Sequence, residues 1–123
     1  MNVVVISGRL VSDPRISKVG EYDVANFKIA ADVPGPGKKV AFVDCQAWGK
    51  LASEVVARFG KKGDLVEGNG SLVTGSYDGE KGKVYFVRVN MTTYRLVHQA
   101  GHASGQETPQ LGNFNTDEYE DTL

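Results

Sequence analysis

Phe42 and Trp48 stand six positions apart in residues 40–50, which read V-A-F-V-D-C-Q-A-W-G-K. Taken as a strand, this stretch sends alternate side chains to opposite faces. Ala41, Val43, Cys45 and Ala47 form a small apolar face suited to a core. Phe42, Asp44, Gln46 and Trp48 form the other, polar in the middle with an aromatic near each end. At about 3.3 Å per residue the two rings lie roughly 20 Å apart. Every nucleic-acid base has a π-face, so such a pair can act as stacking platforms for successive bases. A lone tryptophan is more often a core residue than a ligand contact. Burying Trp48 by strict alternation, however, would bury Asp44 and Gln46 with it, and both would then need partners. The outward register is the reading taken here, with Gly49 marking a twist at the strand end.

The cations follow the same chemistry. All 14 Lys and Arg lie between Arg9 and Arg95. Residues 1–99 carry ten acids against them, a net of +4, whereas the remainder has five acids and no base, a net of −5. A basic body with an acidic tail suggests an anionic partner and a tail that competes with it. The loop Pro34-Gly35-Pro36-Gly37-Lys38-Lys39 is by itself an ordinary solvated hairpin tip. Beside a stacking face, its two lysines become phosphate contacts.

Several elements must position these residues. Residues 1–10, M-N-V-V-V-I-S-G-R-L, open a β-branched strand apolar on both faces at its start, suited to burial in a sheet or against another copy. Gly8 allows a bulge or bend, Asp13-Pro14 reads as a turn, and Arg15 to Lys18 can continue the strand before Gly20 breaks it. Residues 24–32 form a second strand with Ala25, Phe27, Ile29 and Ala31 inward and Asn26, Lys28 and Asp32 outward. Residues 50–59 form the one convincing helix, with an apolar stripe of Leu51, Ala52, Val55, Val56 and Phe59. Lys61 and Lys62 follow its last turn, where cations suit the dipole, and Gly60 or Gly63 can supply a left-handed cap. Residues 65–77 are a long strand that Gly68, Gly70 and Gly75 should bend, with Tyr77 on the polar face in a single register. Asp78 to Lys83 form a hairpin connection. Residues 84–91 return with Tyr85, Val87, Val89 and Met91 inward, and 92–97 can extend that strand.

Beyond residue 100 periodicity stops. The segment G-H-A-S-G-Q-E-T-P-Q-L-G-N-F-N-T-D-E-Y-E-D-T-L has no Lys or Arg and few apolar residues, the composition of a disordered tail. The lone Cys45 forms no internal disulfide and sits on the apolar face as a packing residue. No apolar run is long enough to span a membrane, and no signal peptide opens the chain, so a cytoplasmic protein is expected. His98 and His102 are spaced i, i+4 but lack the Cys, Asp or Glu that would complete a metal site. No nucleophile–base set or paired carboxylates appear, so neither an enzyme nor a cofactor is expected.

Strand, strand, strand, helix, strand, strand is the order of an OB-fold. The expected class is all-β with one short helix. It comprises a five-stranded Greek-key OB-fold barrel over residues 1–99 and a disordered acidic C-terminal tail over 100–123. Such barrels commonly bind oligonucleotides or oligosaccharides on the face of strands two and three.

The residues also resemble a known family. Over roughly residues 1–97 the chain is similar to the bacterial and phage single-stranded-DNA-binding proteins. The opening M-N-V-V-V-I-S-G-R-L-V-S-D-P resembles that family's first strand, Gly-x-Leu and Asp-Pro turn. Its Phe-x-x-Ala appears as Phe27 to Ala30, its aromatic-Gly-Lys-x-Ala as Trp48-Gly49-Lys50-Leu51-Ala52, and its Lys-Gly as Lys62-Gly63. All four in order at this spacing make the resemblance specific. It implies that Phe42, Trp48 and Tyr77 stack bases and that Lys50 is a basic contact. Lys28, Lys38, Lys39, Lys81 and Lys83 are electrostatic candidates in their own right, and Arg9 joins them where many relatives are uncharged. The resemblance further implies a homotetramer, with a dimer as the alternative. It also implies recruitment of replication and repair proteins through the tail tip Asp117-Glu118-Tyr119-Glu120-Asp121-Thr122-Leu123.

Three departures stand out. The further aromatic that many members carry between strands two and three is missing, Asp44 replaces a basic residue found in some, and the tip lacks the usual Pro-Phe. The expected function is sequence-independent binding and protection of single-stranded DNA in replication, recombination and repair, in the bacterial nucleoid or as a phage protein in the host cytoplasm. The alternative is a replication-accessory OB-fold interaction module that binds nucleic acid weakly.

Overall fold

The computed structural model describes residues 1–100; the tail beyond, with Asp117, Glu118, Tyr119, Glu120, Asp121 and Leu123, lies outside the described residues. The strands are β1 (Val4–Leu10), β2 (Arg15–Val19), β3 (Tyr22–Val33), β4 (Lys39–Trp48), β5 (Leu65–Gly79), β6 (Gly82–Met91) and β7 (Arg95–His98). β1 pairs with β3, β3 with β4, β4 with β6 in parallel, β6 with β5, and β5 returns to β1. These five close a ring in OB-fold order, while β2 hangs on β3 and β7 on β5. The expected extensions after β1 and β6 are thus separate strands. The first is turned back by Gly20 at φ 62°, a left-handed value that glycine takes without a side-chain clash.

The ring closes where chains approach too closely for a side chain. At Gly8, where β1 passes from β5 to β3, an added Cβ would stand 2.2 Å from the Ala30 carbonyl oxygen. Inside, Leu10, Phe27, Ile29, Cys45, Ala47, Val66, Val89 and Met91 fill the core. Tyr94 closes one side with its ring edge-on to Phe27, centroids 5.6 Å apart. The inward register expected for β3 and β4 holds at Ala25, Phe27, Ile29, Cys45 and Ala47, which are buried, whereas Ala31, Ala41 and Val43 are half-buried and Val24 and Ala30 of the other face are buried too.

Two expectations change. The helical segment is a π-helix over Leu51–Val56, where the Ala57 N–H donates to the Ala52 carbonyl, followed by a single α-turn, Ala57–Phe59. The wider winding keeps Ala52 and Val56 in the core but rotates Phe59 to the surface, under the guanidinium of Arg58. Gly63 takes the left-handed φ of 87°, whereas Gly60 is extended and packs so closely on Pro14 that a Cβ there would clash. On β6, Val89 and Met91 are buried as expected, but Tyr85 and Val87 are exposed because the β5–β6 hairpin runs out past the barrel.

Candidate nucleic-acid interface

The β3–β4 ladder fixes which side chains share the outer surface, because residues directly opposite in an antiparallel pair project to the same side. Val24 faces Trp48, Asn26 faces Gln46, Lys28 faces Asp44, and Ala30 faces Phe42. Trp48 is 38% exposed at one end of this row, and Phe42 is half-buried at the other. The polar residues between them are paired. The Trp48 indole N–H donates to Gln46 Oε1 at 3.0 Å, and the Gln46 amide donates to Asn26 Oδ1 at 3.0 Å. Lys28 Nζ lies 3.5 Å from Asp44 Oδ1. This ladder fixes the indole against the sheet and spends one cation of the face on one acid.

A cleft of about 650 Å³ opens over the same surface. Asn26, Lys28 and Asp44 form part of its floor; Ser12, Asp13 and Arg15 close one side; Tyr77, Phe86 and Arg88 of the β5–β6 hairpin close the other. The register Ser71↔Asn90, Val73↔Arg88, Gly75↔Phe86, Tyr77↔Val84 runs without a slip, so Tyr77, Phe86 and Arg88 share one face of the hairpin. Gly75 makes room for the Phe86 ring: a Cβ there would stand 2.4 Å from Phe86 Cζ. The Arg88 guanidinium lies 4.1 Å from the centroid of that ring, a cation–π arrangement.

Of the residues singled out from the sequence, the cleft brings together Lys28 and Tyr77, and Phe42 and Trp48 flank it on the same sheet face. Lys38, Lys39, Lys50, Lys81 and Lys83 are exposed outside it. Lys83 faces Asp78, on the hairpin side opposite Tyr77. Arg9 requires a correction. It is only 8% exposed, and its Nη1 donates to the Gly63 carbonyl at 2.7 Å. Burial pulls its guanidinium below the usual value, while the charge of Asp64 pushes back. Asp64 is itself fully buried and accepts from the backbone N–H groups of Lys61 and Ala100. Arg9 thus braces the barrel rather than reaching a ligand. Phe86, Arg88 and Arg15 were missed, although the outward parity of Phe86 and Arg88 on the returning strand, opposite Tyr77, was the available signal.

The Cys45 thiol is pushed up to about 12, first by burial and then by the charge of Asp44, so it is a packing group. Among the described residues no cluster of His, Cys, Asp or Glu could hold a metal ion, and no helix is long and apolar enough to cross a membrane.

A closed five-stranded OB-fold barrel with an aromatic and polar face on β3–β4, overhung by a long hairpin, is a small β-domain of the oligomer-binding class. Residues 1–97 match the single-strand binding protein family. Single-stranded DNA-binding protein 3 of Listeria innocua is 35% identical over 123 residues, covering 94% of this chain and 76% of its own length. A single-stranded DNA-binding protein of Bacillus cereus is 37% identical over 121 residues, covering 94% and 68%. One from Oceanobacillus iheyensis is 32% identical over 114 residues, covering 88% and 70%. The chain belongs to the single-strand binding protein family.

Proposed function

We propose that this chain binds single-stranded DNA without sequence preference and protects it during replication, recombination and repair. The observation that carries the reading is the shared outer face of β3 and β4, where Trp48 and Phe42 bracket a cleft walled by Tyr77, Phe86 and Arg88. Bases stack on Trp48, Phe42 and Tyr77, each worth about 1–3 kcal/mol by alanine substitution. Phosphates are met by Arg15 and Arg88 beside the cleft and by Lys38, Lys39, Lys50, Lys81 and Lys83 around it, with Lys28 available once it leaves Asp44. The role is one of binding with no catalysis, in the cytoplasm of a bacterial cell, with residues 1–99 as the binding domain and 100–123 as the acidic tail that recruits other replication and repair proteins.

Copies of the chain associate, as a homotetramer or a dimer, through β1. β3 pairs β1 only at Arg9 and Leu10, which leaves one edge of the strand open over its first residues among those described. Val3 and Val5 beside it are exposed, Val5 at 79%. An open apolar edge is a ready template for another strand.

Anisotropy of labelled oligo-dT against a duplex of equal length, at low and high salt, tests the function. Tight, salt-sensitive binding to oligo-dT alone is expected, with log K falling by about 0.7 per phosphate contact for each tenfold rise in salt. Weak binding to both ligands would favour an OB-fold protein-interaction module instead, a reading that the Lys28–Asp44 pair supports.

A further inference from the structure

The β2–β3 hairpin carries an aromatic that neither the cleft nor the sequence motifs account for. Tyr22 opens β3 and is 65% exposed. Its register partner is Val19 of β2, whereas Val24, two residues on, is the partner of Trp48. Tyr22, Val24 and Trp48 therefore lie on one face of the sheet, with Tyr22 one rung beyond Trp48 and diagonal to it. Diagonal neighbours on a sheet stand about 7–8 Å apart, within reach of aromatic side chains. β4 ends at Trp48, and the Gly49 N–H, donating to the Asp23 carbonyl at 2.8 Å, turns the chain away into the helical segment. Tyr22 therefore stays exposed on the rung past the end of β4.

The charge around it suits a strand passing overhead. Lys50 lies exposed just past Gly49, whereas Lys18, paired with Asp23 at 3.5 Å, projects to the other side of the hairpin. The loop between β3 and β4, by contrast, offers only Pro34, Gly35, Pro36, Gly37 and Lys38, with no ring. The stacking track thus gains no aromatic from that loop beyond Phe42, and an additional one beyond Trp48 at the other end.

We propose that Tyr22 is a base-stacking platform that takes the nucleotide next to the one on Trp48, so that the bound strand runs on over the β2–β3 hairpin. This rests on the proposed binding of single-stranded DNA and extends the site by one base. A π-face is what the position supplies, so Phe should replace Tyr and an aliphatic residue should not.

The test is oligo-dT titration of the full chain and of Tyr22→Ala, Tyr22→Leu, Tyr22→Phe and Tyr85→Ala, followed by Trp48 fluorescence and by anisotropy across a salt series. Tyr85 is exposed on the opposite face of the other hairpin and serves as the control. Tyr22→Ala and Tyr22→Leu should each weaken binding about tenfold, while Tyr22→Phe and Tyr85→Ala stay within about twofold. The salt slope should not change, because Tyr22 neutralises no phosphate. Affinity of Tyr22→Ala within twofold of the unaltered chain, or full affinity in Tyr22→Leu, would overturn the stacking role and leave the function standing. Failure of the unaltered chain to bind oligo-dT would overturn both.

Discussion

The ammonium of Lys28 lies 3.5 Å from the carboxylate of Asp44, and the two are direct cross-strand partners on the outer face of β3 and β4. Both side chains are substantially exposed, so the pair adds little to stability. Its effect falls on binding, because an acid and a base that cancel leave a binding face with one phosphate contact fewer.

Asp44→Asn should therefore tighten oligo-dT binding severalfold at low salt. It should also steepen the salt dependence by up to about 0.7 in log K per log salt, the share of one added phosphate contact on a single strand. Affinity and slope both unchanged would mean that the DNA path avoids this rung.

Arg9 behaves differently, since it is only 8% exposed and its guanidinium donates to the Gly63 carbonyl. Arg9→Met should lower folding stability by about 1–3 kcal/mol, the usual cost of leaving a buried carbonyl without its donor. The folded fraction should bind oligo-dT with an unaltered salt slope. A stable variant with a shallower slope would return Arg9 to the phosphate contacts.

Charge placed on the open edge of β1 should separate copies of the chain. Val5→Lys is the substitution of choice, because the side chain is already exposed and the change leaves the core intact. Light scattering should give a lower mass for the variant than for the unaltered chain, with the same circular dichroism. Equal masses would remove β1 as the contact.

Stability should fall on the alkaline side. In an unfolded chain Cys titrates near 8.5 and Tyr near 10. In the fold burial raises both Cys45, to about 12, and Tyr94 further still, with Asp64 adding to the rise at Tyr94. Between these limits the unfolded chain holds fewer protons than the folded one. The stability contributed by the neutral thiol is complete below about pH 8.5 and declines as pH climbs. A Tm series from pH 8 to 10.5 should show the decline, and Cys45→Ala should make it shallower. Parallel curves would assign the decline to other groups.

Much of this was legible in the sequence because β3 and β4 carry their core residues at period two, although Val24 and Ala30 on the other face of β3 are buried as well. Ala25, Phe27 and Ile29, and Cys45 and Ala47, could be placed inside from alternation alone. Where an element leaves the barrel the same rule misleads. Tyr85 and Val87 follow the inward parity of Val89 yet end in solvent, because the hairpin outruns the core. Phe59 was misplaced by assuming 3.6 residues per turn through a segment that winds as a π-helix. The cleft was the least legible part. Lys28 and Tyr77 carried composition signals, but Phe86 and Arg88 acquire meaning only once the β5–β6 register puts them on one face with Tyr77, and Arg9 reads as a surface cation until the fold buries it against the Gly63 carbonyl.

The most direct measurement is a titration of intrinsic fluorescence with oligo-dT at two salt concentrations, since Trp48 is the only tryptophan in the chain. Strong quenching that saturates, at an affinity that drops as salt rises, is the expected result and puts a base on the indole at a phosphate-binding face. Saturable binding by anisotropy with the Trp48 emission unchanged would contradict stacking on the β3–β4 face.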